Sequence, residues 1–150
     1  MIIDTLKRLY RRDLTKLKTE IETYQKEEHI WLVDKDITNC AGNLCLHLVG
    51  NLNHFIGTLL GDTGYVRQRV LEFSLKNVPR AVLVQQVEET IVMIEKVLDE
   101  LTVDDLAKEY PVMVFKERMS TEFFLIHLNT HLTYHLGQVN YHRRLLDIIV

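Results

Sequence analysis

At 150 residues the chain has the size of one domain. Its 47% hydrophobic and 26% charged residues, with six glycines and two prolines, exclude disordered, collagenous and low-complexity classes. Eighteen Lys and Arg against 21 Asp and Glu leave a formal charge of -3 without any basic block, so nucleic acid is not an expected partner.

The first segment places Leu6, Tyr10, Leu14, Leu17, Ile21 and Tyr24 at steps of three and four, which predicts an amphipathic helix over about residues 2–26. Its N-terminus lacks a signal-peptide apolar region, and no apolar run in the chain approaches the ~18 residues of a membrane span. A soluble, cytoplasmic protein that does not contact a membrane is therefore expected. A connector with Trp31 and the turn former Asp34-Lys35-Asp36 follows. The second helix is predicted from about Asn39 to Leu60, stopped by Gly61-Asp62-Thr63-Gly64. Cys40 and Cys45 fall five apart in that predicted helix, where their side chains diverge, so both are expected to be free thiols in a reducing compartment.

Residues 65–78 fit no period and are predicted to be a loop crossing the molecule. Beyond Pro79, the seam Val84, Val87, Ile91, Ile94, Leu98 and Leu101 predicts a third long helix to about residue 101. Thr102-Val-Asp-Asp-Leu suits a short capped turn, and Pro111 favours an extended linker before it ends near Ser120. A last helix is predicted from Ser120 to about Ile148. No strand alternation competes, so the expected fold is all-α, one domain over residues 1–150, a four-helix bundle with a long cross-connection.

Six of the seven histidines fall on two of these helices: His47 and His54 on the second, His127, His131, His135 and His142 on the fourth. His131 and His135 lie one turn apart on nearly the same face, so two imidazoles can reach one metal ion. His47, on a neighbouring helix, qualifies as a third ligand. Three neutral imidazoles suit Zn, Ni, Cu or Fe and leave coordination positions open. Against this stands the plain alternative that the pair is solvated or hydrogen-bonded in the core, although its apolar surroundings argue that the rings need partners. His142 is displaced roughly 10 Å along the axis from His135, and both it and His127 are assigned by default to core, surface or dimer contacts. His54 suits pocket lining or support of a ligand, with a structural role as its alternative.

Gly50, Gly57 and Gly61 interrupt the second helix, and each glycine costs roughly 0.5 to 1 kcal/mol against alanine, so room beside a site or close helix packing is expected there. The residue after His131 is Leu132, so the zincin motif His-Glu-x-x-His is absent, and no histidine has a Glu three residues before it as di-iron bundles require. Haem-attachment, Walker A and dinucleotide fingerprints are missing too.

Two motifs carry a family resemblance: His47-Leu-Val-Gly-Asn-Leu-Asn-His54, and His131-Leu-Thr-Tyr-His135-Leu-Gly137-Gln138. Together with helix order and length, they resemble the DinB-like superfamily of metal-dependent proteins. The resemblance implies a four-helix bundle, often a homodimer, holding a divalent ion (zinc or nickel foremost) on one histidine of the second helix and two of the fourth. These correspond to His47, His131 and His135. Asn51, His54 and Gln138 are the candidates for the pocket or for orienting a ligand, and Gly137 would let a neighbouring helix approach. Relatives in the superfamily include bacillithiol S-transferases and mycothiol-dependent isomerases, so the implied function is a thiol-dependent S-transferase acting on a small-molecule substrate with a low-molecular-weight thiol. Alternatives are a non-catalytic metal-binding or structural dimer, and a hydrolase using metal-bound water. Arg67 and Arg69 in the crossover could bind a carboxylate of the thiol, or lie on the surface.

Overall fold

The computed structural model describes residues 1–150, and the fold is all-helical. Helix α1 spans Ile2–Thr23, and the apolar positions named for it are all buried. After a 3-10 turn at Glu27–Trp31, helix α2 covers Ala41–Leu52 and continues through a π-helical turn, Asn53–Thr58, to Leu59–Gly61. Helix α3 is the short Arg69–Ser74, α4 is Arg80–Glu100, α5 is Val103–Ala107 and α6 is Thr121–Leu146. A lone bridge between Glu109 and Ser120 is the only β pairing.

The caps follow from side-chain chemistry. Thr102 and Asp105 form a reciprocal capping box at α5, and Ser120 Oγ accepts from the Phe123 amide at α6. Cys40 lies one residue before α2 rather than within it, accepting the Asn43 amide on Sγ as the N-cap. Both cysteines are buried and unbridged, and burial pushes the Cys45 thiol up to about 12. No helix is long and apolar enough to cross a membrane.

Side-chain pairs give the directions of the long helices. Arg11 meets Glu95 and Lys18 meets Glu88, so α1 and α4 are antiparallel. Tyr10 meets Leu125, Asp13 meets Thr133 and Tyr24 meets His142, so α1 and α6 are parallel. Asn53 meets Thr90 while Gly61 sits against Val97, so α2 and α4 are parallel. Phe55 meets Phe124 while His47 meets His131, so α2 runs antiparallel to α6. Two parallel helices joined in succession need a connection running their full length, and residues 62–79 provide it. The long helices close around a single cluster of 29 buried apolar residues, and every residue of α2 from Ala41 to Leu52 is buried.

The crossover is the main departure from the expected elements, because it carries α3. Its amphipathicity is inverted: Val70 is 79% exposed whereas Glu72 is 6% exposed. A carboxylate inside and a valine outside defeat any periodicity reading, which assumes that the apolar residues face the core.

Within the core, the Tyr10 hydroxyl donates to the Leu125 carbonyl at 2.6 Å and ties α1 to α6. Tyr10→Phe keeps the ring and removes this bond, so a loss of about 1 kcal/mol is expected in urea unfolding, the usual net worth of a buried hydrogen bond.

Candidate metal centre

The structure brings His47, His131 and His135 together, on α2 and on two successive turns of α6. Their candidate ligand atoms all lie within 4.8 Å of one another. The Nε2 atoms of His47 and His131 are 3.3 Å apart, and those of His131 and His135 are 3.1 Å apart. Two nitrogens each bonded at about 2.0–2.1 Å to one cation stand about 2.8 to 3.4 Å apart for angles between octahedral and tetrahedral. The three rings stand nearly perpendicular in every pairing, at 79°, 89° and 89°, so they aim their edges at a common region without stacking.

Hydrogen bonding at the far nitrogens sets the tautomers. His47 Nδ1 lies 3.0 Å from Glu72 Oε1, and His135 Nδ1 lies 2.7 Å from Gln138 Oε1. Both partners are acceptors, so both rings carry the proton on Nδ1 and leave Nε2 as a free lone pair. A neutral His131 has at most one N–H to offer two such lone pairs, and placing it on Nε2 leaves Nδ1 as a bare acceptor. His131 Nδ1 is buried without a partner. A cation at the convergence would satisfy these lone pairs together, and the three-histidine donor set can therefore hold a metal ion.

The electrostatics point the same way. Burial, reinforced by the neighbouring His135 and His47, pushes His131 down to about 4. Burial also lowers His47, against the opposing pull of Glu72. These rings are neutral near pH 7, the form that binds metal.

Glu72 was not singled out by sequence reasoning. It reaches the site from α3, and Arg67 clamps it with Nε at 2.9 Å from Oε2 and a second guanidinium nitrogen at 3.0 Å from Oε1. Phe73, the next residue, packs against His47 with the rings tilted by 35° and their centroids 4.9 Å apart. Arg67 is thus committed to an internal carboxylate, and Arg69 lies over the Phe73 ring. The signal that could have found Glu72 is Gly50. A Cβ on that residue would stand 2.0 Å from Glu72 Oε2, so the glycine is the space that the carboxylate occupies. Gly61, by contrast, makes room for Val97 at 2.4 Å and serves packing.

The remaining candidates separate by role. Asn51 is buried one turn along α2 from His47, with Oδ1 unpartnered. His54 lies outside the three-histidine group, in the π-helical turn, edge-on to Phe55. His127 packs against Phe115 and Phe124. His142 is a core residue joined to Tyr24 and the Leu32 carbonyl. Gly137 does not receive a neighbouring helix, since nothing lies within 4 Å of the position a Cβ would take.

Fold and site together define an all-helical protein with a three-histidine group able to hold a metal ion. The sequence profile of the family described as Protein of unknown function (DUF1572) matches residues 2–148, and the chain belongs to that family. No curated protein matches the chain.

Proposed function

We propose that this chain is a DinB-like four-helix-bundle protein that holds a divalent metal on His47, His131 and His135 and uses it to transfer a small thiol to an electrophile. The observation that carries the reading is the convergence of three Nε2 atoms, two of them with tautomers set by Glu72 and Gln138. The DUF1572 match over residues 2–148 supports the DinB-like assignment. So does the order of long helices, with the crossover between α2 and α4.

A divalent ion in this position would supply acidification of a bound thiol, favouring the thiolate that attacks an electrophile. The protein's own share is to keep His47 and His131 neutral and all three imidazoles aimed. It also offers space beside Gly137, where the exposed face of α6 adjoins His135. In the transfer, the thiolate sulfur forms a bond to the electrophilic carbon, the leaving group departs with its electron pair and the thiol proton passes to solvent. The carboxylate beside the rings has both oxygens engaged by Arg67 and His47, which weighs against hydrolysis with Glu72 as general base.

Purified protein loaded with Zn2+ or Ni2+ is expected to conjugate bacillithiol, glutathione or cysteine to monochlorobimane, and to lose this on chelation. A flat trace with every thiol removes the transferase reading. The metal reading has its own check: chelation should lower Tm, because a ligand held only by the native state stabilises by about 4 kcal/mol at a thousandfold excess over Kd. The same reading expects a homodimer in the cytoplasm, which sedimentation of the purified protein checks for the oligomer.

A further inference from the structure

We infer that Glu72 is a positioning residue for the metal centre. It sets the His47 tautomer from the crossover, so that docking of the crossover and occupancy of the three-histidine site are thermodynamically linked. The inference rests on the metal reading above and adds to it a residue, a direction of coupling and an element that responds.

Four observations converge on Glu72. It is 6% exposed, on a six-residue helix whose other side chains are mostly solvent-facing, so its burial is not a consequence of α3 packing as a hydrophobic unit. A buried carboxylate is costly unless fully partnered, and both oxygens of this one are taken, by His47 on one side and the Arg67 fork on the other. Gly50 supplies its seat, at the expense of helix propensity in the middle of α2. Phe73 completes the contact by packing, tilted, against the His47 ring. The crossover therefore reaches His47 through two successive side chains, one polar and one aromatic.

The physical consequence follows from tautomerism. An imidazole whose Nδ1–H is held by a carboxylate presents Nε2 in one orientation, and the carboxylate raises the basicity of that nitrogen. Coupling is reciprocal: if Glu72 tightens metal binding through His47, then the metal must tighten docking of Glu72 by the same factor. Residues of the crossover, among them Tyr65, Leu71 and Leu75, form one wall of a cavity of about 390 Å3 against Leu46, Val49 and Gln86. Metal occupancy would thus also shape that cavity.

The test uses Zn2+ as probe with the full chain, in wild type, Glu72→Gln, Gly50→Ala and His131→Ala. Glu72→Gln removes the charge at nearly constant shape. Gly50→Ala leaves the carboxylate in the chain but displaces it from its seat. Both are expected to raise the Kd for Zn2+ by about 10- to 100-fold, the usual cost of losing an outer partner of a ligand histidine. Long-range 1H–15N spectra of the metal-free protein should show His47 as the Nδ1–H tautomer in wild type and as a mixture in both variants, a change that a purely structural role would not produce. Hydrogen exchange across residues 65–75 should slow on Zn2+ loading in wild type and not in Glu72→Gln. Unchanged Kd and an unchanged tautomer in both variants, with binding lost in His131→Ala, would overturn this inference and leave the metal reading standing. Absence of Zn2+ binding by the wild type would overturn both.

Discussion

His131→Ala is expected to abolish tight binding of Zn2+ or Ni2+, with a loss well beyond the 10- to 100-fold that removal of an outer partner costs. His131 is the shared neighbour of the other two rings, at 3.3 Å from His47 and 3.1 Å from His135 between Nε2 atoms. Removing it separates the remaining pair and leaves two ligands on different helices, too few to define a closed side of the coordination sphere. His131 Nδ1 has no partner in the protein, so the substitution breaks only contacts with the other two rings of the group. The metal-free variant should therefore melt close to the metal-free wild type, and the whole difference should emerge on loading. Metal content after gel filtration, together with paired melts with and without chelator, measures this. Equal metal in variant and wild type would remove His131 from the ligand set, and an equal drop in Tm with and without metal would make its role structural.

His142→Ala is expected to do the reverse, costing about 2–4 kcal/mol of stability while leaving metal binding intact, since it strands two buried hydrogen-bonding groups and opens a cavity. Burial holds the Tyr24 phenol well above its ordinary value, so Tyr24 is the donor and His142 Nδ1 the acceptor at 2.6 Å. The ring proton must then be on Nε2, which donates to the Leu32 carbonyl at 2.8 Å. Only the neutral ring satisfies both bonds as drawn. Burial lowers the His142 pKa below its ordinary 6.5, against the opposing bond to Leu32.

The sign of the pH dependence follows. Above 6.5 the ring is neutral in folded and unfolded chains, and its contribution is fully present. As pH falls from 6.5 toward the lower folded value, the unfolded chain takes up the proton first and stability is lost. Urea unfolding of the metal-free protein at several pH values should show this slope, and His142→Ala should flatten it. The slope will not vanish, because burial lowers His47 and His131 in the same direction. An identical slope in the variant would remove His142 from the account.

Four histidines share α6, and the two variants divide them by what their nitrogens touch. His131 and His135 turn Nε2 toward a third ring, whereas His142 gives both nitrogens to the scaffold. His127 lies between Phe115 and Phe124, in an aromatic contact. Spacing sets His142 apart by its axial displacement of roughly 10 Å, but it cannot separate His127 from His131 and His135, which follow one another at four-residue steps.

What periodicity can read, it read well. The α1 face from Leu6 to Tyr24 and the α4 positions Val87, Ile91, Ile94 and Leu98 are buried, because in these helices apolar side chains are the ones driven inward, while Val84 and Leu101 at the ends of the predicted seam are only half-buried. The stops at Gly61 and the start at Ser120 agree with the helix limits to within a residue, since caps act through neighbours in the chain. The His131, His135 pair was legible for the same reason, being one turn of one helix, whereas Gln138 was singled out through the family resemblance and stands 2.7 Å from His135 Nδ1.

Room at Gly50 was legible, but Glu72 and its pairing with Arg67 were not, and the reason is physical. A carboxylate goes inward only when a cation and a donor from distant positions meet it there, here Arg67 five residues before and His47 on another helix 25 residues before. No local rule scores that arrangement. The amino-acid order by itself determined an all-helical chain with two histidines stacked on its last long helix, because helix formation and one-turn spacing depend on near neighbours. Tertiary structure alone decided that His47 meets that pair while His54 does not, and which carboxylate turns inward, because those outcomes depend on the rotation of one helix against another and on a crossover whose buried residue is charged.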